Sequence, residues 1–160
     1  MKSSQKMLEK IIKKLASKNQ TISFAESCTG GRIAAAFTAV SGASAVLNGS
    51  VVTYSNDIKH DWLGVEREVL QNFGAVSSQC ISQMLKGVKK LSGADYALAV
   101  SGIAGPSGGT EDKPVGTVYI GLQMPLTQEV FRCLFHGDRE SIQEQSTTFA
   151  IEKLEEYLEI

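Results

Sequence analysis

The stretch 21-TISFAESCTGGRIAAAFTAV-40 decides the fold, because a strand, a turn and a helix follow one another in it without a break. Residues 21–25, TISFA, form a short β-prone run, and the alanine-rich second half has the composition of a helix. The turn between them carries Glu26, Ser27, Cys28 and Thr29, then Gly30 and Gly31. A strand that leads directly into a helix is a building unit of α/β folds, and the stretch therefore predicts one.

The rest of the chain continues this alternation. The helix of this stretch is predicted to begin near Thr29. Further helices are predicted over 4–18, where apolar residues recur at helical spacing, over a short segment containing Lys59, over 66–73, over 77–91, where Ser77 can cap the first turn, and after Gly137-Asp138. Further strands are predicted over 47–56, 95–105, 114–124 and 129–136. The last two strands are joined by too few residues for a crossover and should form a hairpin. We therefore predict one domain over 1–160, a three-layer α/β/α sandwich with a mostly parallel mixed sheet of about five strands.

The composition is that of an ordinary globular domain. The chain has 160 residues, 42% hydrophobic and 21% charged, with a formal net charge of −1. Such a balance does not favour nucleic acid as a partner. No segment approaches the ~18 consecutive apolar residues of a membrane span. The N-terminal sequence MKSSQKMLEKIIKK lacks the apolar core of a signal peptide. We expect a cytoplasmic protein without a nucleic-acid or membrane partner.

The cysteines and histidines indicate neither disulfides nor a metal. Cys28, Cys80 and Cys133 form an odd, scattered set, which is typical of reduced thiols in a cytoplasmic protein. His60 and His136 have no metal-ligand spacing with each other or with the cysteines. A zinc site is therefore not expected.

The turn after the first strand is the first candidate site. A helix start leaves several backbone N–H groups unpaired, and their partial positive charge favours an anion or a developing oxyanion. Ser27 lies just upstream, where a nucleophilic hydroxyl would benefit from these donors. Cys28 is a rival nucleophile, and since adjacent residues point in opposite directions, only one of the two should face a ligand. Alternatively, Thr29 caps the helix and Gly30-Gly31 only make the turn.

A serine nucleophile needs a base, and the segment 50-SVVTYSNDIK-59 offers one. Neither histidine has the partners of a Ser-His-Asp triad. A lysine can replace histidine if burial or a nearby cation lowers its pKa toward neutrality. Lys59 follows a predicted strand end that also carries Tyr54. The alternative is a solvated surface lysine after a turn.

The third candidate is the loop within 100-VSGIAGPSGGTEDKPVGTVYIG-121, which holds six glycines and two prolines. Long loops beyond strand ends are often functional. This one matches neither the dinucleotide fingerprint nor the P-loop, and a flexible connection is the alternative. Further along, Arg139 lies at a strand-to-helix junction. Its planar guanidinium suits a phosphate or a carboxylate, although a surface ion pair would explain it equally well.

Together and in order, these segments resemble one family. The blocks ESCTGG, TYSNDIK…LGV, GAVS, SGIAGPSGGTEDKPVGTVYIG and GDRE are similar to those of the CinA C-terminal domain family. The resemblance covers about residues 5–158, essentially the whole chain. Characterised members of that family are nicotinamide mononucleotide amidases. The resemblance thus implies hydrolysis of the carboxamide to nicotinate mononucleotide and ammonia, with no metal or organic cofactor.

The resemblance also implies residue roles. It makes Ser27 the nucleophile and Lys59 its base, with Tyr54 orienting the lysine or the pyridinium ring. Arg139 would hold the phosphate or lower the pKa of the lysine. The implied substrate-binding residues are Thr29, Gly30, Gly31, Ser101, Gly102, Gly105 and Arg139. The family resemblance further implies a homo-oligomer, a dimer.

Two departures from the family pattern qualify this expectation. Ser107 stands where family members often have an aspartate, so an acidic role at that position is not expected. Larger members carry an N-terminal domain, related to molybdopterin-binding folds, with a separate nucleotide hydrolase activity. The present sequence begins at the first helix, and that activity is expected to be absent. Two other hypotheses stay open, a non-catalytic nucleotide-binding module and a cysteine amidase that uses Cys28.

Overall fold

Helices and strands alternate along the chain as the sequence predicts. A computed structural model describes residues 2–159. The helices are α1 (Lys2–Ser17), α2 (Arg32–Thr38), α3 (Asn56–Leu63), α4 (Arg67–Phe73), α5 (Ser78–Ser92) and α6 (Arg139–Leu158), and Ala43–Ala45 form a single 3-10 turn. The strands are β1 (Ile22–Glu26), β2 (Leu47–Val52), β3 (Tyr96–Gly102), β4 (Thr117–Gln123) and β5 (Gln128–Leu134). None of these helices combines the length and the apolarity needed to cross a membrane.

The five strands form one mixed sheet in the order β2-β1-β3-β4-β5. Strand β1 pairs in parallel with β2 and β3, whereas β3/β4 and β4/β5 are antiparallel. Parallel pairing is therefore confined to β2, β1 and β3, half of the sheet's pairings. The predicted hairpin is confirmed, and it closes where the Met124 N–H donates to the Thr127 carbonyl at 2.8 Å. Because β1, β2 and β3 run in the same direction, their carboxyl ends meet at one edge.

Helices cover both faces of the sheet, which confirms the three-layer prediction. On one face, α1, α2 and α6 bury Phe24, Leu98 and Ile120. On the other face, the strands present small residues, Ala25, Ala97, Ala99 and Gly121, to α5. A side chain at Gly121 would overlap Ile81 and Leu85 of α5, so this helix lies unusually close to the sheet. All residues of β1 and residues 96–101 of β3 are buried, as expected for strands that are covered on both faces.

Two element boundaries differ from the predictions at places that matter for the site. Strand β2 ends at Val52, and the Ser55 hydroxyl accepts a hydrogen bond from the Ile58 N–H and begins α3. Helix α2 begins at Arg32, later than predicted, because Gly30 and Gly31 adopt positive φ angles of 59° and 100°. The predicted cap of α5 is confirmed, since the Ser77 hydroxyl accepts a hydrogen bond from the Cys80 N–H at 3.1 Å.

Candidate active site

A cavity of about 270 Å³ lies beyond the carboxyl ends of the parallel strands. Its walls are Ser27 and Cys28 after β1, Tyr54 and Lys59 from the β2–α3 connection, residues 75–76, the loop segments 101–105 and 107–108, and Arg139 at the start of α6. The three segments that the sequence singled out separately thus line one space. This is the position at which open α/β sheets bind ligands.

Ser27 and Lys59 are in direct contact at the floor of this cavity. The Lys59 Nζ and the Ser27 Oγ are 3.0 Å apart, which is hydrogen-bonding distance. Ser27 is brought there by the end of β1, and Lys59 by the first turn of α3, the helix that Ser55 caps. Thirty-two residues separate the two in the sequence, so only the fold could establish the pair.

Lys59 is buried, which sets aside the surface-lysine alternative. Only 1% of the residue is exposed. Burial disfavours the charged form and lowers the pKa of Lys59 below its ordinary value of 10.5, and smaller effects of the Cys80 and Cys28 thiols act in the opposite direction. Among residues 2–159, no carboxylate pairs with this amine. Arg139 is not among the groups that shift this pKa, so the expectation that it tunes the lysine is not supported.

The hydrogen bonds of Lys59 indicate how a neutral amine would be oriented. Its Nζ donates to the Thr53 carbonyl at 2.7 Å and to the Tyr54 carbonyl at 3.1 Å. A neutral amine has two N–H groups and one lone pair. The two carbonyls, which can only accept, use both N–H groups. The lone pair is then left for the third contact, the Ser27 hydroxyl, whose proton it can accept.

Cys28 also lines the cavity but is a poor nucleophile in this environment. It is 4% exposed, and burial raises the pKa of its thiol from 9.0 to about 11. A thiol with this pKa is almost entirely protonated near neutral pH, whereas the thiolate is the reactive form. Both adjacent residues reach the cavity, contrary to the expectation that only one would. Their chemistry, rather than their direction, distinguishes them.

The helix start behind Ser27 is not an anion site, which corrects the sequence interpretation. The Glu26 carboxylate accepts hydrogen bonds from the N–H groups of Gly31, Ile33 and Ala34 at 3.0–3.2 Å. The donors expected to be free are therefore used within the protein. Thr29 does not cap α2 either, because its hydroxyl donates to Glu26 at 2.6 Å.

The three residues of this turn that were expected to bind substrate lie outside the cavity. Its walls include none of Thr29, Gly30 and Gly31. Thr29 is completely buried behind the nucleophile, and the Gly30 N–H donates to the Ser27 carbonyl at 3.0 Å. Their position suits a support for Ser27 rather than a contact with a ligand.

Arg139 and Tyr54 form the rim of the cavity. Arg139 donates from Nη1 to the Gly105 carbonyl at 2.6 Å and from Nη2 to the Tyr54 hydroxyl at 2.9 Å. Tyr54 is 60% exposed. A guanidinium has five N–H groups, so this one retains donors for an anionic ligand. No carboxylate pairs with it within the described part of the chain.

The glycine-rich loop supplies one wall, and Ser101, Gly102, Gly105 and Ser107 lie on it. Gly105 has a φ of 81°, and a side chain there would overlap Val115. Within residues 2–159, the backbone N–H groups of Ala104 and Gly105 have no hydrogen-bond acceptor. This wall therefore offers backbone donors to a ligand, and the N–H groups of Ser27 and Cys28, which also line the cavity, likewise have no acceptor among these residues.

Side chains from outside and within the loop fasten it, contrary to the alternative of a flexible connection. Arg132 donates from Nη2 to the Asp112 carbonyl at 2.6 Å. The Lys113 Nζ donates to the Phe73 carbonyl at 2.8 Å and so ties the loop to the end of α4. Together with the contact of Arg139 to the Gly105 carbonyl, three cationic side chains each donate to a backbone carbonyl and hold the loop in place.

Comparisons with known proteins identify the family of the chain. The family model described as "CinA C-terminal domain" matches residues 4–158. The chain belongs to the CinA C-terminal domain family. A CinA-like protein of Thermotoga maritima is 46% identical over 154 residues, which cover 96% of this chain and 38% of that protein. A CinA-like protein of Endomicrobium trichonymphae is 51% identical over 140 residues, covering 88% of this chain and 33% of the relative.

Solved structures of the CinA family share the whole fold. A CinA superfamily protein from Klebsiella pneumoniae has a TM-score of 0.93 and 36% identity, with 98% of each chain covered. The competence/damage inducible protein CihA of Agrobacterium tumefaciens has a TM-score of 0.93 and 39% identity, with 98% of this chain and 96% of that one covered. The chain thus spans about the full length of these structures but 38% of the Thermotoga relative.

Sequence reasoning missed three parts of this CinA site. Glu26 was noted as a carboxylate, but its five contacts depend on side chains and backbone groups up to 24 residues away. Residues 75–76, an alanine and a valine, lie on the cavity wall, but their apolar side chains suggested no role in a site. Lys113 and Phe73 are 40 residues apart in the sequence, so no local pattern predicts the contact between the Lys113 Nζ and the Phe73 carbonyl.

Proposed function

We propose that the protein hydrolyses the carboxamide of nicotinamide mononucleotide to nicotinate mononucleotide and ammonia, with Ser27 as nucleophile and Lys59 as base. The observation that carries the proposal is the 3.0 Å contact between the Ser27 Oγ and a buried Lys59 Nζ. Membership of the CinA family supports the choice of substrate through the resemblance of its site segments. Ammonia release from nicotinamide mononucleotide tests the proposal.

The first chemical step is attack of the hydroxyl on the carboxamide carbon. An amide is a weak electrophile, so the hydroxyl has to lose its proton as the new bond forms. The Lys59 lone pair accepts that proton, because both of its N–H groups are held by the carbonyls of Thr53 and Tyr54. The Ser27 Oγ–carbon bond forms, and the carbonyl electron pair moves to the oxygen.

The developing oxyanion needs donors on the cavity wall. The N–H groups of Ala104 and Gly105 are without acceptors among the described residues and belong to that wall. We assign the oxyanion to this loop segment, in place of the helix start that Glu26 occupies. Loss of one such donor typically costs about 10²–10³ in rate.

The tetrahedral intermediate then collapses to an ester on Ser27, which water hydrolyses in a second step. The ammonium of Lys59 returns its proton to the departing nitrogen, the carbon–nitrogen bond breaks, and ammonia leaves. The resulting ester on Ser27 is attacked by water, whose proton again passes to Lys59 and then to the Ser27 Oγ. The products are nicotinate mononucleotide and free enzyme. No oxidant or reductant is consumed.

The rim residues are placed to bind the rest of the nucleotide. We assign the phosphate to Arg139, whose guanidinium retains unused donors. The ring of Tyr54 is exposed at the same rim and offers a face to the pyridinium. Ser101 and Gly102 border the space around the reacting carbon, and Gly105 belongs to the donor segment.

The assignment of Arg139 predicts a substrate-dependent effect. We expect Arg139→Ala to raise KM for nicotinamide mononucleotide by about 10-fold or more, because a charge-assisted hydrogen bond to phosphate is lost. The same variant should change KM much less for nicotinamide riboside, which lacks the phosphate. Steady-state kinetics with both substrates make the comparison. Equal effects on the two substrates would show that Arg139 only supports the Gly105 loop.

The lowered pKa of Lys59 predicts the direction of the pH dependence. Only the neutral amine accepts the serine proton, so kcat/KM should rise with pH until Lys59 is deprotonated, by about 10-fold per unit on the acidic side. The midpoint should lie below 10.5, the ordinary pKa of a lysine. A rate that falls with rising pH across this range would contradict the role of Lys59.

The same shift affects stability, which provides a readout independent of turnover. Between the folded-state pKa of Lys59 and 10.5, the unfolded chain binds the extra proton and the folded chain does not. The free energy of unfolding therefore rises with pH across this window. Urea unfolding at several pH values should show this component in the wild type and not in Lys59→Met.

We further propose that the enzyme acts in the cytoplasm as a homodimer and uses no metal or organic cofactor. The two-step mechanism needs only the side chains of the cavity and water. Turnover in the presence of EDTA should accordingly equal turnover without it.

A further inference from the structure

We propose that Glu26 is a positioning residue that sets the separation of Ser27 and Lys59. The inference rests on the proposed function, since it concerns how the nucleophile and the base are held. Glu26 precedes Ser27 directly and is completely buried. It does not line the cavity, so it acts on the reaction through other residues.

The side chain of Glu26 holds the turn that carries the nucleophile. Its Oε1 accepts hydrogen bonds from the Thr29 hydroxyl at 2.6 Å, the Gly31 N–H at 3.2 Å and the Ile33 N–H at 3.0 Å. Its Oε2 accepts from the Ala34 N–H at 3.0 Å. These contacts bind the segment after Ser27 to the first turn of α2. The position of the Ser27 Oγ is thereby fixed from its C-terminal side.

The same carboxylate also binds the strand that leads to the base. Its Oε2 accepts a hydrogen bond from the Ser50 hydroxyl of β2 at 3.2 Å. The Glu26 backbone carbonyl accepts from the Thr53 N–H at 2.8 Å, and the Thr53 carbonyl in turn accepts from the Lys59 Nζ. One residue thus connects the serine turn to the segment that orients the lysine.

Capping of α2 alone does not explain why a carboxylate stands at position 26. Burial of a carboxylate is costly, and within residues 2–159 no cation pairs with Glu26. A helix of seven residues could begin with a small serine or threonine cap instead. The carboxylate adds what such a cap lacks, simultaneous contact with the serine turn and with β2.

The test compares Glu26→Gln with Asp95→Asn. The glutamine keeps the shape of the side chain but replaces one oxygen by an NH₂ group, which cannot accept from the N–H of α2. Asp95 is the matched control, because its carboxylate accepts from the Thr21 N–H at 2.8 Å near the opposite end of β1. Each variant is characterised by kcat, KM, thermal midpoint and the rate at which an aryl sulfonyl fluoride labels Ser27, followed by peptide mass spectrometry.

For Glu26→Gln we expect kcat to fall by about 10²-fold with little change in KM, since displacing a reacting group by about 1 Å has this effect. Labelling of Ser27 should slow by a comparable factor. Asp95→Asn should retain kcat and the labelling rate. Wild-type kcat in Glu26→Gln, or a loss that only follows the folded fraction, would overturn the positioning role.

Milder variants keep the proposal testable if Glu26→Gln does not fold. Thr29→Val and Ser50→Ala each remove one hydrogen bond to the carboxylate and should each lower kcat by about fivefold, the factor that corresponds to about 1 kcal/mol. Thr29→Ser keeps the hydroxyl and should lose less than Thr29→Val. Equal kinetics of these two Thr29 variants would overturn the proposal.

Labelling separates this inference from the proposed function. If the wild type releases no ammonia from nicotinamide mononucleotide, the proposed function fails, yet sulfonylation of Ser27 still reports how the hydroxyl and its base are held. Unchanged labelling in Glu26→Gln then overturns the positioning role by itself. Slower labelling supports it whatever the natural substrate is.

Discussion

Ser27→Ala should abolish ammonia release, with an expected loss in kcat of at least about 10³-fold. The substitution removes the only atom that attacks the carboxamide in the proposed mechanism. Loss of a nucleophile of this kind leaves only the contribution of binding and of the oxyanion donors. Ser27 is 7% exposed, and its removal leaves a small gap at a cavity that is already open. The fold should therefore survive, as circular dichroism and the thermal midpoint will show.

Cys28→Ser is the matched control for Ser27→Ala. Cys28 lines the same cavity one residue further along, and burial holds the pKa of its thiol at about 11. The variant should retain activity within about threefold, since a protonated thiol contributes no nucleophile. Loss of turnover in Cys28→Ser together with turnover in Ser27→Ala would establish the cysteine amidase instead.

Lys59→Met has the second large effect, a fall in kcat of about 10³-fold, within the range that general base catalysis contributes. Methionine has similar length and no amine, so Ser27 loses the acceptor for its proton. The folded state should tolerate the change, because burying the amine is itself unfavourable. Removing the amine relieves the cost of burying it. The carbonyls of Thr53 and Tyr54 lose their hydrogen-bond donor, which lowers the stability of the folded state by about 1–3 kcal/mol and offsets that relief.

Lys10→Met on the exposed face of α1 controls for the loss of a positive charge. It should leave kcat and KM unchanged. The decisive comparison is kcat at a pH above the wild-type midpoint, where Lys59 is neutral and contributes fully. Turnover by Lys59→Met at more than a tenth of the wild-type rate there would show that another group accepts the proton.

The order of helices and strands followed from the sequence because its signals are local. Apolar spacing predicted α1, the Ser77 cap predicted the start of α5, and a short connection predicted the β4–β5 hairpin. Errors occurred at two element boundaries, where a capping residue and a glycine turn decide the end of one element and the start of another. Strand β2 ends early because Ser55 begins a helix, and α2 begins late because two glycines adopt positive φ angles.

The site could be predicted in part for the same reason. The types of residue in three segments indicated a nucleophile, a base and a binding loop, and the fold brings these segments to one cavity. Which backbone donors are free could not be predicted, since it depends on the buried Glu26 carboxylate. The burial of Lys59 could not be predicted either, because it results from the packing of α3 against α5.

The central claim is that this protein is a serine amidase, and the most direct measurement is product formation from nicotinamide mononucleotide by the purified wild type with EDTA present. Ammonia and nicotinate mononucleotide should appear in equal amounts, and Ser27→Ala measured alongside should form neither. If the wild type binds nicotinamide mononucleotide but forms neither product, the claim is contradicted and the cavity belongs to a non-catalytic nucleotide-binding module.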